Sequence, residues 1–223
     1  AALLAARAAL KLGAGRTYVG LIGPVAVDPQ QPELMLRPAG DVMNLAHLSC
    51  IVAGPGLGLS VDACLHLDAA LESALPLVLD ADALNLIAAF PDLHNRLKNR
   101  RAPTLATPHP AEAARLLGTD TASVEGDRLE AAGEIARSLS VHVALKGAGT
   151  VCALPDGRAF LNTSGNPGMA SAGMGDVLSG MLGAFLAQGL DAERALLLGV
   201  HLHGAAADRL VAEGIGPVGL TAS

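Results

Sequence analysis

Asn166-Pro167-Gly168-Met169-Ala170-Ser171-Ala172-Gly173-Met174-Gly175-Asp176-Val177-Leu178 reads as a glycine-rich turn that runs straight into a helix. The first N–H groups of a helix lack partners, and the aligned peptide dipoles add partial positive charge there. The turn is therefore a candidate anion site. Gly173 and Gly175 let an anion approach the backbone closely. Asp176 stands where a carboxylate can take a proton from a hydroxyl. A second reading needs no ligand: Asp176 complements the helix dipole and the glycines serve packing. From the residues alone both readings stand.

Outward from this turn, helical sequence from Asp176 to Gln188 stops at Gly189, and a second long helix spans 191–213. Upstream, short apolar runs alternate with helices. Thr17–Ile22, Ser49–Ala53, Leu77–Leu79, Pro103–Thr107 and Val141–Lys146 read as strands. Helices are expected over 1–12, from Ser60 to about Ala74, from about Asp82, from Pro110 to Gly118, and over 125–139. Residues 23–48, with Pro24, Pro29, Pro32 and Pro38, read as irregular. Pro155-Asp156-Gly157 separates two short runs and signals a late antiparallel hairpin. The alternation predicts an α/β fold, a mostly parallel sheet with helices on both faces. In such sheets ligands bind beyond the carboxyl ends of the strands.

Composition agrees and excludes other classes. The 223 residues are 51% hydrophobic and 16% charged, enough for one sizeable core and too apolar for disorder. One domain over 1–223 is expected. The net charge of −6 and 2% aromatic content argue against a nucleic-acid partner. No uninterrupted run of about 18 apolar residues predicts a membrane span. Cys50, Cys64 and Cys152 show no C-x-x-C spacing and read as buried thiols of a cytoplasmic protein. The sequence begins at Ala1 in helix-like residues and is expected to be a piece of a longer chain.

Four further segments fall at strand ends. Lys146-Gly147-Ala148-Gly149-Thr150 lacks the Walker A order. Its lysine suits a phosphate, but a solvated lysine in a turn is the favoured alternative. Gly54-Pro55-Gly56-Leu57-Gly58 is a close-approach loop or a plain turn. His109, between Pro108 and Pro110, is held stiffly for binding or for a structural hydrogen bond. Asp80 and Asp82 either orient a nucleotide-bound Mg²⁺ through water or cap a helix, with capping slightly favoured. His201 and His203, two residues apart, do not form a metal pair.

Taken in order, VAGPGLG (52–58), VLDADALN (78–85), TPHPAEAARLLG (107–118), the stretch 143–180 and HLHGAAAD (201–208) resemble the NAD(P)H-hydrate dehydratase family. That family is a carbohydrate-kinase-like group with the ribokinase-like fold. Each motif alone is moderately specific, while the ordered set is highly specific. The resemblance implies a three-layer sandwich. It also implies dehydration of the S-epimer of hydrated NADH or NADPH by phosphorylation of the ring hydroxyl and loss of phosphate. ADP, or ATP, is the implied donor, with Mg²⁺. By resemblance Asp176 is the general base and contacts the hydrate, as do Ala2, Gly56 and His109. Asn166, Gly173 and Gly175 form the anion hole. Lys146, Gly147, Ala148, Gly149, Thr150 and Gly175 line the nucleotide site. No metal-ligating residue is assigned. A homo-oligomer, with a tetramer as one form, and a fused or cooperating epimerase are also implied.

Three departures from the family pattern stand out. Met174 replaces the usual Thr or Ser, and Ala111 replaces a usual Gly. The family's first strand and the extreme C-terminus are expected to be missing, which would leave a sheet edge unpaired. Two other functions remain open: an ATP-dependent kinase of a small hydroxylated metabolite with the same fold, and a noncatalytic nucleotide-binding module.

Overall fold

The structure is a computed structural model that describes residues 1–24 and 27–223. Val25 and Ala26, within the stretch expected to be irregular, lie outside the described residues. The chain opens with α1 (Ala2–Lys11) and continues through β1 (Tyr18–Leu21), β2 (Met35–Pro38) and α2 (Ala39–Met43). Next come β3 (Ile51–Ala53), α3 (Val61–Glu72), β4 (Leu77–Leu79), α4 (Asp82–Ala89) and α5 (Pro91–Lys98). Then follow β5 (Thr104–Ala106), α6 (Pro110–Leu117), α7 (Thr121–Gly126), α8 (Arg128–Leu139) and β6 (His142–Leu145). The hairpin β7 (Val151–Ala153) and β8 (Ala159–Leu161) leads to α9 (Met174–Ala187) and α10 (Ala192–Ala212).

The main sheet has six strands in the order β3-β4-β5-β6-β7-β8. β3 to β6 are parallel, and β7 and β8 add antiparallel. Strand periodicity divides the core into two layers. Leu77, Leu79, Ala106, Val143 and Leu145 pack with residues of α3 to α8. Val78, Leu105 and Ala144 turn to the other face and pack under Leu182, Phe185, Leu196 and Val200 of α9 and α10. Strands this short and apolar persist because both faces are covered.

Local signals explain most boundaries. The Ser60 hydroxyl accepts from the Ala63 N–H at 3.2 Å and starts α3. Pro110 begins α6, and Gly118 ends it in the left-handed conformation. The single helix expected over 125–139 is instead α7 and α8. Asp127 breaks them by turning its carboxylate onto the Glu130 N–H at 3.0 Å, capping α8.

The proline-rich stretch holds more structure than expected, since it contains β2 and α2. β2 pairs only with β1, and Pro38 ends it, as suits an edge strand. Among the described residues, β1 and β2 form their own parallel pair, and neither bonds to β3. A cavity of about 1010 Å³ lies between β1 and β3, lined by Ala5, Ala9, Val52 and Gly183 among others. Cys152 is buried, Cys50 and Cys64 are half-buried, and all are free thiols. Burial pushes Cys50 and Cys152 up to about 12. Among the described residues no helix is long and apolar enough to cross a membrane.

Candidate active site

The carboxyl ends of β4 and β6 and the start of α9 converge on one point. Gly173 caps α9 with φ +89°, a conformation that glycine adopts without strain. Among the described residues the N–H groups of Gly173, Gly175 and Asp176 find no acceptor. They leave free donors at the electropositive end of a long helix, a setting chemically suited to an anion. Asp176 sits in the first turn of that helix, with its side chain 16% exposed. Burial raises its pKa above the ordinary carboxylate range. The charge of Asp80 adds to the rise, while Lys146 opposes it. A carboxylate made more basic in this way is better suited to accept a proton.

Lys146 is not a solvated turn lysine. Its Nζ donates to Asp80 Oδ1 at 2.7 Å and lies 3.8 Å from Glu112 Oε2. It reaches the anion end of α9, since a methyl group placed on Gly175 would stand 3.2 Å from Nζ. The capping reading of Asp80 and Asp82 does not hold. The N-cap of α4 is Ala81, without a side-chain cap. Asp80 turns to Lys146 and Ser179, and Asp82 accepts from the Gly58 N–H at 2.8 Å. Gly54 lets these loops meet. Its φ is +121°, and a Cβ there would stand 1.7 Å from the Asp80 carbonyl oxygen.

The remaining expected residues cluster around this point to different degrees. Gly56 lies beside the start of α1, within 3.8 Å of the Ala2 nitrogen when given a Cβ. His109 caps α6: its Nδ1 accepts from the Glu112 N–H at 3.2 Å, and its Nε2 lies 3.2 Å from Glu112 Oε1. That pair of contacts calls for the neutral Nε2–H tautomer. The His109 ring stays half exposed. Gly147 to Thr150 form the turn after Lys146. Asn166 faces away from Asp176 in its bonding: its Oδ1 accepts from the Gly168 N–H at 3.0 Å, and its Nδ2 donates to Asp208 Oδ1 at 3.0 Å.

Comparison with known proteins settles the kinship. A sequence profile for NAD(P)H-hydrate dehydratase matches residues 1–221. The chain belongs to the NAD(P)H-hydrate dehydratase family. It is 43% identical over 213 residues to an ADP-dependent (S)-NAD(P)H-hydrate dehydratase of Neisseria meningitidis, covering 93% of this chain and 72% of that one. It is 40% identical over 227 residues to a bifunctional NAD(P)H-hydrate repair enzyme of Coxiella burnetii, covering 99% of this chain and 45% of that one. The chain thus spans less than half of that bifunctional relative. A crystal structure of an ADP/ATP-dependent NAD(P)H-hydrate dehydratase from Bacillus subtilis, co-crystallised with ATP and Mg²⁺, superposes with a TM-score of 0.83. The two are 32% identical, over 99% of this chain and 81% of that one. The ribokinase-like, mostly parallel architecture expected from the motifs is the one observed.

Within the family, the two substitutions in this chain have local explanations. The Met174 side chain is buried against Ala207 and Leu220. Ala111 lies inside the first turn of α6, where alanine is a better helix former than glycine. The donor set for Mg²⁺ is sparse. Among the described residues no group of three or more His, Cys, Asp or Glu side chains converges, and both Asp80 oxygens are committed. The described residues do not build a protein cage for the ion.

Two residues that hold the site were not singled out from sequence. Arg128, at the start of α8, donates to the carbonyls of Ala148 at 2.6 Å and Leu145 at 3.1 Å. Asp208 of α10 accepts from the Gly165 N–H at 2.7 Å and from Asn166. Asp208 ends the HLHGAAAD stretch, and Arg128 is a cation in a first helical turn, where the dipole disfavours it. Both signals were available in the sequence.

Proposed function

We propose that this chain is an ADP-dependent dehydratase that returns the S-epimer of hydrated NADH and NADPH to the intact cofactors. The supporting observation is the meeting of three groups at the start of α9: free N–H groups at Gly173 and Gly175, the basic Asp176 carboxylate, and the Lys146 ammonium.

Asp176 accepts the proton of the ring hydroxyl as its oxygen attacks the β-phosphorus of ADP. The bond from that phosphorus to the bridging oxygen breaks, and AMP leaves. The helix start stabilises the charge on the transferring phosphoryl group. Phosphate is a far better leaving group than hydroxide. The ring nitrogen lone pair then expels it, and loss of a ring proton restores the dihydronicotinamide. The residues from Lys146 to Thr150, with Gly175, line the nucleotide, and Ala2, Gly56, His109 and Asp176 contact the hydrate. Asn166 belongs to the anion hole through the turn it shapes. No side chain of this chain is assigned to Mg²⁺; an ion brought in with the nucleotide would supply charge neutralisation.

The same reading takes residues 1–223 as one dehydratase domain in the cytoplasm. It works as a homo-oligomer and receives its S-epimer from an epimerase, fused or separate. Leu198 and Leu202, exposed on α10, offer apolar surface for self-association.

The test is recovery of dihydronicotinamide absorbance from purified NADH hydrate with ADP, with ATP and with neither. ADP-dependent recovery is expected, and Asp176→Asn should lower it about 10²–10⁴-fold. A folded chain with no recovery under any condition overturns the assignment. Recovery that prefers ATP corrects the donor.

A further inference from the structure

Asp80 lies outside every role assigned above, yet it is 1% exposed and sits at the meeting point of three elements. One of its oxygens receives Lys146 Nζ at 2.7 Å. The other is 2.8 Å from Ser179 Oγ, one turn into α9. That hydroxyl is also 3.0 Å from the Gly175 carbonyl, but the charged acceptor is the stronger partner. The main chain around Asp80 is held as firmly. Its N–H donates to the Ala53 carbonyl at 3.1 Å, and its own carbonyl accepts from the Ala83 N–H at 3.1 Å. The next residue, Ala81, adopts φ +48°, a conformation costly for a residue with a Cβ. Such strain persists only where the surroundings overdetermine it, and it gathers at functional sites.

A free lysine side chain samples many rotamers, whereas this one is drawn across to Gly175 by two carboxylates. Glu112 is the more distant of them, at 3.8 Å, and it is itself engaged by His109. Asp80 is therefore the group that sets where the ammonium stands.

We infer that Asp80 is a positioning residue for phosphoryl transfer: it holds the Lys146 ammonium against Gly175 at the mouth of the anion hole and ties that ammonium to α9 through Ser179. The inference rests on the dehydratase reading for its kinetic consequence, but its geometry can be tested without turnover. With ADP as donor, Asp80→Asn should lower kcat about 10²-fold, the scale of losing one preorganised charge-stabilising group, while KM for ADP changes less than about threefold. Asp80→Asn combined with Lys146→Met should cost no more than either change alone.

The charged side chains facing Asp176 are Asp80 from the end of β4 and Lys146 from the end of β6, with Glu112 of α6 behind the lysine; the backbone nitrogen of Ala1, just ahead of α1, lies 3.8 Å from Asp176. Asp80 raises the basicity of Asp176, so removing its charge moves the acid limb of the kcat/KM profile to lower pH.

The readout independent of activity uses the lysines Lys11, Lys98 and Lys146 in ¹⁵N-lysine-labelled full chain. A held ammonium exchanges its protons slowly and gives an NMR signal. The Lys146 signal, identified by its loss in Lys146→Met, should shift on addition of inorganic phosphate and vanish in Asp80→Asn. Wild-type protein that fails to repair NADH hydrate sinks the dehydratase assignment, and the lysine signal then still decides the inference. An Asp80→Asn variant with wild-type kcat, or one with an unchanged Lys146 signal, overturns it.

Discussion

The two glycine-rich turns of the site are held in place by opposite charges. The last residue of β6 and the turn after it offer one carbonyl oxygen each to their support, and Arg128 donates to both, at Leu145 and Ala148. The turn before α9 offers N–H groups instead, and Asp208 accepts from Gly165 and from the Asn166 side chain. In both, a charged group from a neighbouring helix does what the turn's own residues do not. Glycines permit the shape, and a side chain distant in sequence selects it. The difference lies in which backbone groups remain for a ligand. In the 146–150 turn the Lys146 N–H goes to the Pro108 carbonyl, while the N–H groups of Gly147, Ala148 and Gly149 have no acceptor among the described residues. The 165–168 turn spends an N–H on its support and serves α9 by anchoring the approach to Gly173.

This contrast can be broken by experiment. The largest effect is expected at Arg128. Arg128→Met leaves two carbonyls without donors, at a cost of about 1–3 kcal/mol, which urea unfolding would register. The same change should raise KM for ADP about tenfold with a smaller change in kcat. An unaltered KM would mean that the turn keeps its shape without the arginine.

Asp208→Asn should act the other way round. It disturbs the approach to the anion hole, so kcat should fall by less than the roughly 10²-fold that a 1 Å misplacement costs, with KM for ADP near wild type. Equal effects of the two variants on KM would erase the division of labour between the turns.

The smallest effect is in pH dependence, and it sharpens the contrast. Hydrogen bonds from the Gly165 N–H, and then from Asn166, hold the Asp208 pKa below the ordinary carboxylate value. A depressed carboxylate stabilises the fold fully above its unfolded pKa, and that contribution is lost as pH falls through the folded value. The Tm difference between wild type and Asp208→Asn should therefore shrink as pH falls below about 3.8. The acceptors of Arg128 are backbone carbonyls, which do not titrate, so the Arg128→Met difference should persist over the same range. A Tm gap for Asp208→Asn that stays constant to low pH would show that its charge does not matter.

What could be read from the chain itself was everything governed by near neighbours. Apolar triplets such as Leu77-Val78-Leu79 are strands because short apolar runs between turns must bury both faces. Ser60, Pro110 and Gly118 mark helix ends through contacts within four residues. The glycine-rich turn that opens α9 was legible for the same reason, since its breakers lie beside the helix they start. Reading failed where two local signals competed. Asp127 looked like an interior helix residue and proved to be a cap, and the proline-marked stretch 23–48 looked irregular and proved to hold an edge strand and a short helix.

Tertiary structure alone decided which partner each polar side chain took. Nothing local in Asp80 distinguishes a helix cap from a hub, because Lys146 and Ser179 are 66 and 99 residues away. Burial removes water as a competitor, so each charge must find whatever complement the fold delivers. That choice set Lys146 beside the first turn of α9 rather than in solvent, and made Arg128 and Asp208 the supports of two turns whose own sequences only allowed their shapes.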